Sequence, residues 1–243
     1  MKQTTTLLLG TVAFVGSLSV ASNAIGASAS HLYPSHGRAH SPFSCGSGTI
    51  YGTLYDQNKN DEHVAIVSQN FTSGSFAAYD SQGADDFIVP YCHTWTIMEV
   101  DVTGTYVSGS GPATSETVYL YKYGANGLPG PMVWECDDVH GKRVSPYGSF
   151  RIRLPAECQI PLTKPIRYWT SVQINMPAYR GEWEWEKQTH VYGNPAAWQN
   201  PGDGFGTGCT TWAVENTCWG LSAPAPTTGD KMYAIKGKDV STP

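Results

Sequence analysis

Charged side chains are scarce: 15 Lys and Arg stand against 20 Asp and Glu in 243 residues, and the basic ones are spread along the chain. Binding along a phosphate backbone needs clustered Lys and Arg, so a nucleic-acid partner is not expected. Helical periodicity is missing too. No Cys-x-x-Cys pair, Gly-x-Ser-x-Gly elbow, His-Glu-x-x-His helix or phosphate loop occurs, so zinc, nucleophile-elbow, metalloprotease and nucleotide chemistry have no motif to rest on. A triad drawn from distant Ser, His and Asp would leave no such trace. Beyond one N-terminal stretch there is no long apolar run. That stretch, Leu7 to Val20, is roughly 14 residues against the roughly 20 needed to cross a bilayer as a helix. No membrane span is expected.

What is present at the N-terminus reads as a signal peptide: Lys2, the apolar run, then small residues from Ala24 to Ala29. Ser22-Asn23-Ala24 and Ala27-Ser28-Ala29 both fit a cleavage site, and the cut after Ala29 is preferred. Neither leaves a cysteine to carry a lipid, and the polar C-terminus has no apolar tail. Loss of Lys2 takes the formal net charge from −5 to −6. A freely exported protein, extracellular or periplasmic, is the expectation. Residues 30–48 carry Pro34 and Pro42 without periodicity and read as a flexible lead-in to a domain over 49–243.

All six cysteines, Cys45, Cys92, Cys136, Cys158, Cys209 and Cys218, lie in the exported part, where oxidising conditions favour disulfides. Pairing neighbours joins Cys136 to Cys158 across a hairpin, closes a short loop between Cys209 and Cys218, and leaves Cys45 for Cys92, among the 15 connectivities six cysteines allow.

Period-two alternation supplies the fold class. Met98, Val100 and Val102 alternate with Glu99, Asp101 and Thr103, and Phe150, Ile152 and Leu154 with Arg151 and Arg153. Further strands are expected at Ala65 to Phe71, Asp86 to Val89, Val118 to Tyr123, Tyr168 to Asn175, Trp183 to Thr189 and Met232 to Ile235. Asn126-Gly127 and Pro129-Gly130 punctuate them. Short strands with no intervening helices make an all-β antiparallel sandwich, with jelly-roll or Greek-key connections and disulfide staples.

The frames Ser68-Gln69-Asn70-Phe71, Gly83-Ala84-Asp85-Asp86-Phe87 with Val89-Pro90 and Trp95, Asn175-Met176 and Trp183-Glu184-Trp185 lead on to Ala197-Trp198-Gln199-Asn200-Pro201-Gly202. They end at Gly206-Thr207-Gly208-Cys209-Thr210-Thr211-Trp212. From about Asp56 onward the chain resembles an uncharacterised family of secreted bacterial β-sandwich domains. That resemblance implies location and fold, not activity, and brings no catalytic residue with it. Cys45 and Cys92 stand outside its frame.

The stretch Asn194 to Thr211 is the expected contact region, because unstructured loops longer than about 12–15 residues in compact domains are usually functional or disordered. Asn194, Trp198, Gln199, Asn200, Asp203 and Trp212 offer aromatic faces and hydrogen-bonding groups suited to a sugar or a peptide. In the competing reading Trp198 plugs the end of the sandwich. Trp183 and Trp185 share one strand face roughly 7 Å apart. They are read as core rather than as a stacking platform, since Glu182, Glu184 and Glu186 opposite them prefer water. Those glutamates satisfy the carboxylate spacing of a glycosidase trivially, yet a solvated stripe does not raise a carboxyl pKa. Asp56, Asn58, Asn60, Asp61 and Glu62 have the composition of a calcium loop. However, Asp61 replaces the turn glycine and Val67 the closing glutamate, which leaves an irregular structural calcium including Asp85 or Asp86 as the alternative to no cofactor. His31, His36 and His40 have the composition of a weak transition-metal site, and cleavage after Ser30 would make His31 N-terminal, which with a second histidine is a copper grip.

The reading is a secreted, non-catalytic binding or surface-interaction module, with a glycan the best-fitting ligand class and a polysaccharide or cell-surface protein as partner. An exported hydrolase and a structural protein of the cell exterior are the alternatives.

Overall fold

A computed structural model describes residues 45–221 and 229–242. The expected signal peptide, His31, His36, His40 and most of the expected lead-in lie outside them. The chain is an all-β sandwich of antiparallel sheets. One sheet has seven strands, in the order Ala213–Val214, Ala197–Gln199, Gln82–Ile88, Arg167–Met176, Ser115–Tyr123, Pro129–Val139, with Gln69–Phe71 running parallel to the end of Arg167–Met176. The other orders Gly48–Asp56, Tyr233–Ser241, His93–Val102, Phe150–Arg153 and Lys142–Arg143, with Pro161–Leu162 also on His93–Val102. A third sheet, Asp61–Val67, Glu182–Gln188 and Gly104–Val107, lies beside them. Most sheet neighbours are far apart in sequence, because the chain repeatedly crosses from one sheet to another.

The inward alternation packs Phe87, Trp95, Val100, Val102, Ile152, Val172, Ile174 and Ile235 into one core. Phe87 and Trp95 stack at 6.1 Å between ring centres. Trp183 and Trp185 belong to this core, and each indole N–H is satisfied by a backbone carbonyl, Gly148 at 2.7 Å and Met232 at 2.9 Å. The strand Arg167–Met176 is buried along nearly its whole length. The face opposite the core combines Trp169, which packs with Tyr121 and Ala197, with Gln173 and Asn175, and hydrogen bonds tie polar groups on this side of the sheet together. The Tyr119 hydroxyl donates to Gln173 at 3.1 Å, Asn175 donates to Thr117 at 3.0 Å, and Gln199 donates to Gln82 at 2.7 Å.

Three departures from the sequence expectations have physical causes. The stretch Ala65 to Phe71 is two strands, because the chain changes sheets at Ser68, whose hydroxyl donates to the Val172 carbonyl at 2.6 Å and accepts from the Gly83 N–H at 3.0 Å. Pro129-Gly130 opens an 11-residue strand. The turn lies earlier, where Asn126 and Gly127 take positive φ of 60° and 73°. The first strand starts at Gly48, inside the stretch read as lead-in.

All three disulfides pair as neighbours, Cys45–Cys92, Cys136–Cys158 and Cys209–Cys218, with Cα separations of 6.1, 5.8 and 5.8 Å. Cys136–Cys158 does not join adjacent strands as expected. It ties the edge strand Pro129–Val139 of one sheet to the short turn that follows Phe150–Arg153 in the other. Among the described residues no helix is long and apolar enough to cross a membrane.

Charge is also buried. Lys187, Lys231 and Glu215 are all 0 % exposed, with Glu215 between the two ammonium groups at 3.2 and 2.5 Å. Lys187 also donates to Asn216 at 2.7 Å. Burial pulls the Lys231 ammonium below its usual pKa, and Glu215 opposes that shift. Removing one partner from a buried ion pair leaves an uncompensated charge, at about 3–5 kcal/mol. Glu215→Gln is therefore expected to destabilise the chain by about that amount in urea unfolding, and a loss below about 1 kcal/mol would contradict the account.

Candidate functional site

A recess lined by aromatic rings, with a volume of about 450 Å³, opens where three short segments meet. Phe71 ends the parallel strand, Phe76 and Tyr79 project from the 3₁₀ turn Gly74–Tyr79, and Ala178 and Tyr179 come from the turn Ala178–Arg180. Ser108, Gly181 and Glu182 complete the lining. Phe71, Phe76 and Tyr79 form a ring cluster with centres 6.0 to 6.3 Å apart. Phe76, Tyr79 and Tyr179 remain 42 %, 37 % and 81 % exposed. The Arg180 guanidinium sits over the Tyr179 ring at 5.7 Å and donates to the Pro112 carbonyl at 3.2 Å, which gives that exposed ring a support.

The expected contact loop proves to be the buttress of this recess. Asn200 is fully buried and donates through its amide to the carbonyls of Ala78 at 2.7 Å and Asp80 at 2.8 Å. The Gly204 N–H donates to Ala78 at 2.8 Å, and Phe205 packs edge-on against Tyr79 at 5.2 Å. This approach requires glycine: a Cβ on Gly202 or Gly204 would lie 2.5 or 2.6 Å from Ala78 backbone atoms. Asp80 in turn accepts the Phe71 N–H at 2.7 Å.

The six residues nominated from the sequence therefore separate, and none lines the recess. Trp198 is 0 % exposed, its indole N–H donating to Val67 at 2.8 Å and its ring meeting Phe205 and Trp219 at 6.0 and 5.1 Å. It fills the core, as in the competing reading, and presents no face to a ligand. Asn200 is consumed as described. Asn194 clamps Asp86, which also pairs with Arg167. Gln199 and Trp212 lie on the outer side of the seven-stranded sheet, Trp212 edge-on to Tyr121 at 5.4 Å. Asp203 is exposed, but its carboxylate accepts the Gly208 N–H at 2.9 Å within its own loop.

The acidic residues around Asp56 do not converge either. Asp56 pairs with Lys59 at 3.2 Å and Asp61 with His63 at 3.2 Å. Asp85 is buried, accepting from Gln57 at 2.9 Å and from the Lys231 N–H at 2.5 Å. Among the described residues no group of three or more His, Cys, Asp and Glu is placed to hold a metal ion.

The glutamate stripe differs from expectation. Glu182, Glu184 and Glu186 are half-buried, because Asp61–Val67 and Gly104–Val107 flank their strand on both sides. Burial, reinforced by Glu182, pushes the Glu184 carboxyl up to about 7. Burial, reinforced by Asp61, does the same for Glu186, also to about 7. Glu182, which faces the recess, is raised by burial as well, and among the described residues no cation pairs with it. No protein-family model matches the chain, and no curated protein is significantly similar to it.

The raised Glu184 pKa has a definite sign. The fold favours the protonated form, so its contribution to stability is complete below the ordinary value of 4.5 and is lost as pH rises to about 7. Glu184→Gln is expected to raise the melting temperature at pH 8 by about 2–4 °C and to leave it unchanged at pH 5. An equal shift at both pH values in a thermal melt would remove the titration from the explanation.

Proposed function

We propose that this chain is a secreted, non-catalytic binding module whose ligand is a glycan, taken at the aromatic recess rather than at the Asn194 to Thr211 loop. The observation that carries this is the set of three partly exposed rings, Phe76, Tyr79 and Tyr179, around a mouth that also holds the Ser108 hydroxyl and the Glu182 carboxyl. Pyranose rings offer one apolar face of C–H groups to stack on aromatic side chains, and an equatorial rim of hydroxyls for hydroxyl and carboxyl partners. Tyr179, 81 % exposed and held in place by Arg180, presents an open ring face on which a sugar can stack. Three disulfides favour an oxidising compartment, which agrees with the signal-peptide features of the first 29 residues and with membership of the secreted bacterial β-sandwich family that the motifs resemble.

A second reading, an exported hydrolase, draws on Glu184, since an acid catalyst needs a carboxyl protonated near neutrality. Against it, Glu184 does not line the recess that Glu182 faces.

Retention of the mature protein on a panel of insoluble polysaccharides is the direct test. Phe76→Ala and Tyr179→Ala are expected to reduce retention about tenfold or more, as loss of a stacking ring does, with melting temperatures close to the parent's. Trp198→Ala should instead unfold early, at a cost of about 3–5 kcal/mol. Retention indifferent to both surface rings would reject the recess as the site, and release of reducing ends that Glu184→Gln abolishes would favour the hydrolase.

A further inference from the structure

Away from the aromatic recess, and sharing no residue with it, a pocket of about 250 Å³ is lined, among the described residues, by His140, Lys142, Arg151 and Arg153 and by no carboxylate. It lies at the edge of the six-stranded sheet. Lys142 on the short outermost strand is paired in register with Arg151 on the next, and Arg153 follows two residues on, on the same face. His140 enters from the end of the adjoining strand Pro129–Val139.

Such a gathering of cations on a chain of net charge −5 needs an explanation. Ion pairing within the sheet accounts for part of it. Glu99 and Asp101 meet Arg151 at Nε, 3.3 and 3.4 Å away, and Glu99 meets Arg153 at Nε, 2.9 Å away. Both carboxylates are also shared with Lys236 at 3.0 and 2.5 Å. Two negative charges thus serve three positive ones, and Lys142 has no ionic partner among the described residues. Arg151, Arg153, Lys236 and Lys142 thus exceed Glu99 and Asp101 by two positive charges, and His140 lies within electrostatic reach of the Glu116 carboxylate, which accepts the Gly141 N–H at 2.5 Å. The Arg153 Nε–H donates to Glu99 at 2.9 Å, whereas the Arg151 Nε–H is buried without a hydrogen-bond partner; both guanidinium groups line the pocket, and their planar forks suit the oxygens of a planar or tetrahedral anion.

We propose that this pocket binds the sulfate or carboxylate substituent of an acidic glycan. A volume of about 250 Å³ admits such a group. The acidic balance of the rest of the chain opposes a polyanion that must be followed along many phosphates, so a nucleic acid fits the chemistry less well.

The test uses the mature protein on beads carrying dextran sulfate, carboxymethyl dextran, neutral dextran or duplex DNA, with inorganic sulfate as competitor. Retention on at least one acidic dextran and not on neutral dextran is expected. Release by inorganic sulfate, a loss of about tenfold or more in the Lys142→Gln, Arg153→Gln double variant, and no change in Phe76→Ala should accompany it. The two acidic matrices separate sulfate from carboxylate recognition. If the double variant melts early, Lys142→Gln alone replaces it, since that exposed side chain has no partner to lose. No retention on either acidic matrix, undiminished retention by the variants, or stronger retention on DNA would each overturn the proposal. Because Phe76→Ala reports on the aromatic recess, failure of that site and failure of this one are read separately.

Discussion

A single carboxylate set between two buried ammonium groups is the constraint on which the rest of this sandwich depends. Lys187 and Lys231 face each other across an antiparallel bridge, which places two like charges together where no water can separate them. Glu215 makes that juxtaposition tolerable. It sits on the one-turn helix Glu215–Cys218, so that turn cannot drift away, and Cys218 holds Cys209 through a disulfide. The Cys209 carbonyl receives the Asn200 N–H at 2.8 Å, and Asn200 fixes the turn that bears Phe76 and Tyr79. Lys187 meanwhile lies near the end of the strand that begins with Glu182. Both walls of the aromatic recess are thereby referred to the same buried charge.

The fold class was legible because alternation is a local property. Met98 to Val102 and Phe150 to Leu154 show it in five residues each, and the sandwich follows. The three disulfide pairs were legible because neighbouring cysteines were also the ones the strands bring together. The change of sheet at Ser68 was not, since a hydroxyl bonded to Val172 more than a hundred residues away has no local mark.

The recess was invisible for the same reason. Phe76 and Tyr79 belong to one short turn and Tyr179 to another, neither periodic, and only the finished fold sets them side by side. Composition instead pointed to the Asn194 to Thr211 loop, in which Asn194 and Asn200 spend their polar groups on the protein itself while Asp203, Thr210 and Thr211 are exposed. Asn200 satisfies backbone carbonyls, Asn194 satisfies Asp86, and glycines let the loop press against Ala78. The glutamate stripe misleads similarly: alternation correctly placed Trp183 and Trp185 inside, but it is silent on what lies beside a strand, and flanking strands take most of the water from Glu184. Lys187, Lys231 and Glu215 run against the general rule that such residues stay exposed, and no one-residue signal could have revealed them.

The first strand of the six-stranded sheet, Gly48–Asp56, pairs among the described residues only with Tyr233–Ser241, Gly48 opposite Ser241. That late strand also separates it from His93–Val102. Among the described residues the first strand therefore pairs only once the last one, Tyr233–Ser241, is in place. Long-range pairing of this kind slows folding and keeps a nascent chain extended. The topology thus ties completion of this sheet to Tyr233–Ser241, and no shorter stretch of the described chain gives Gly48–Asp56 a strand to pair with.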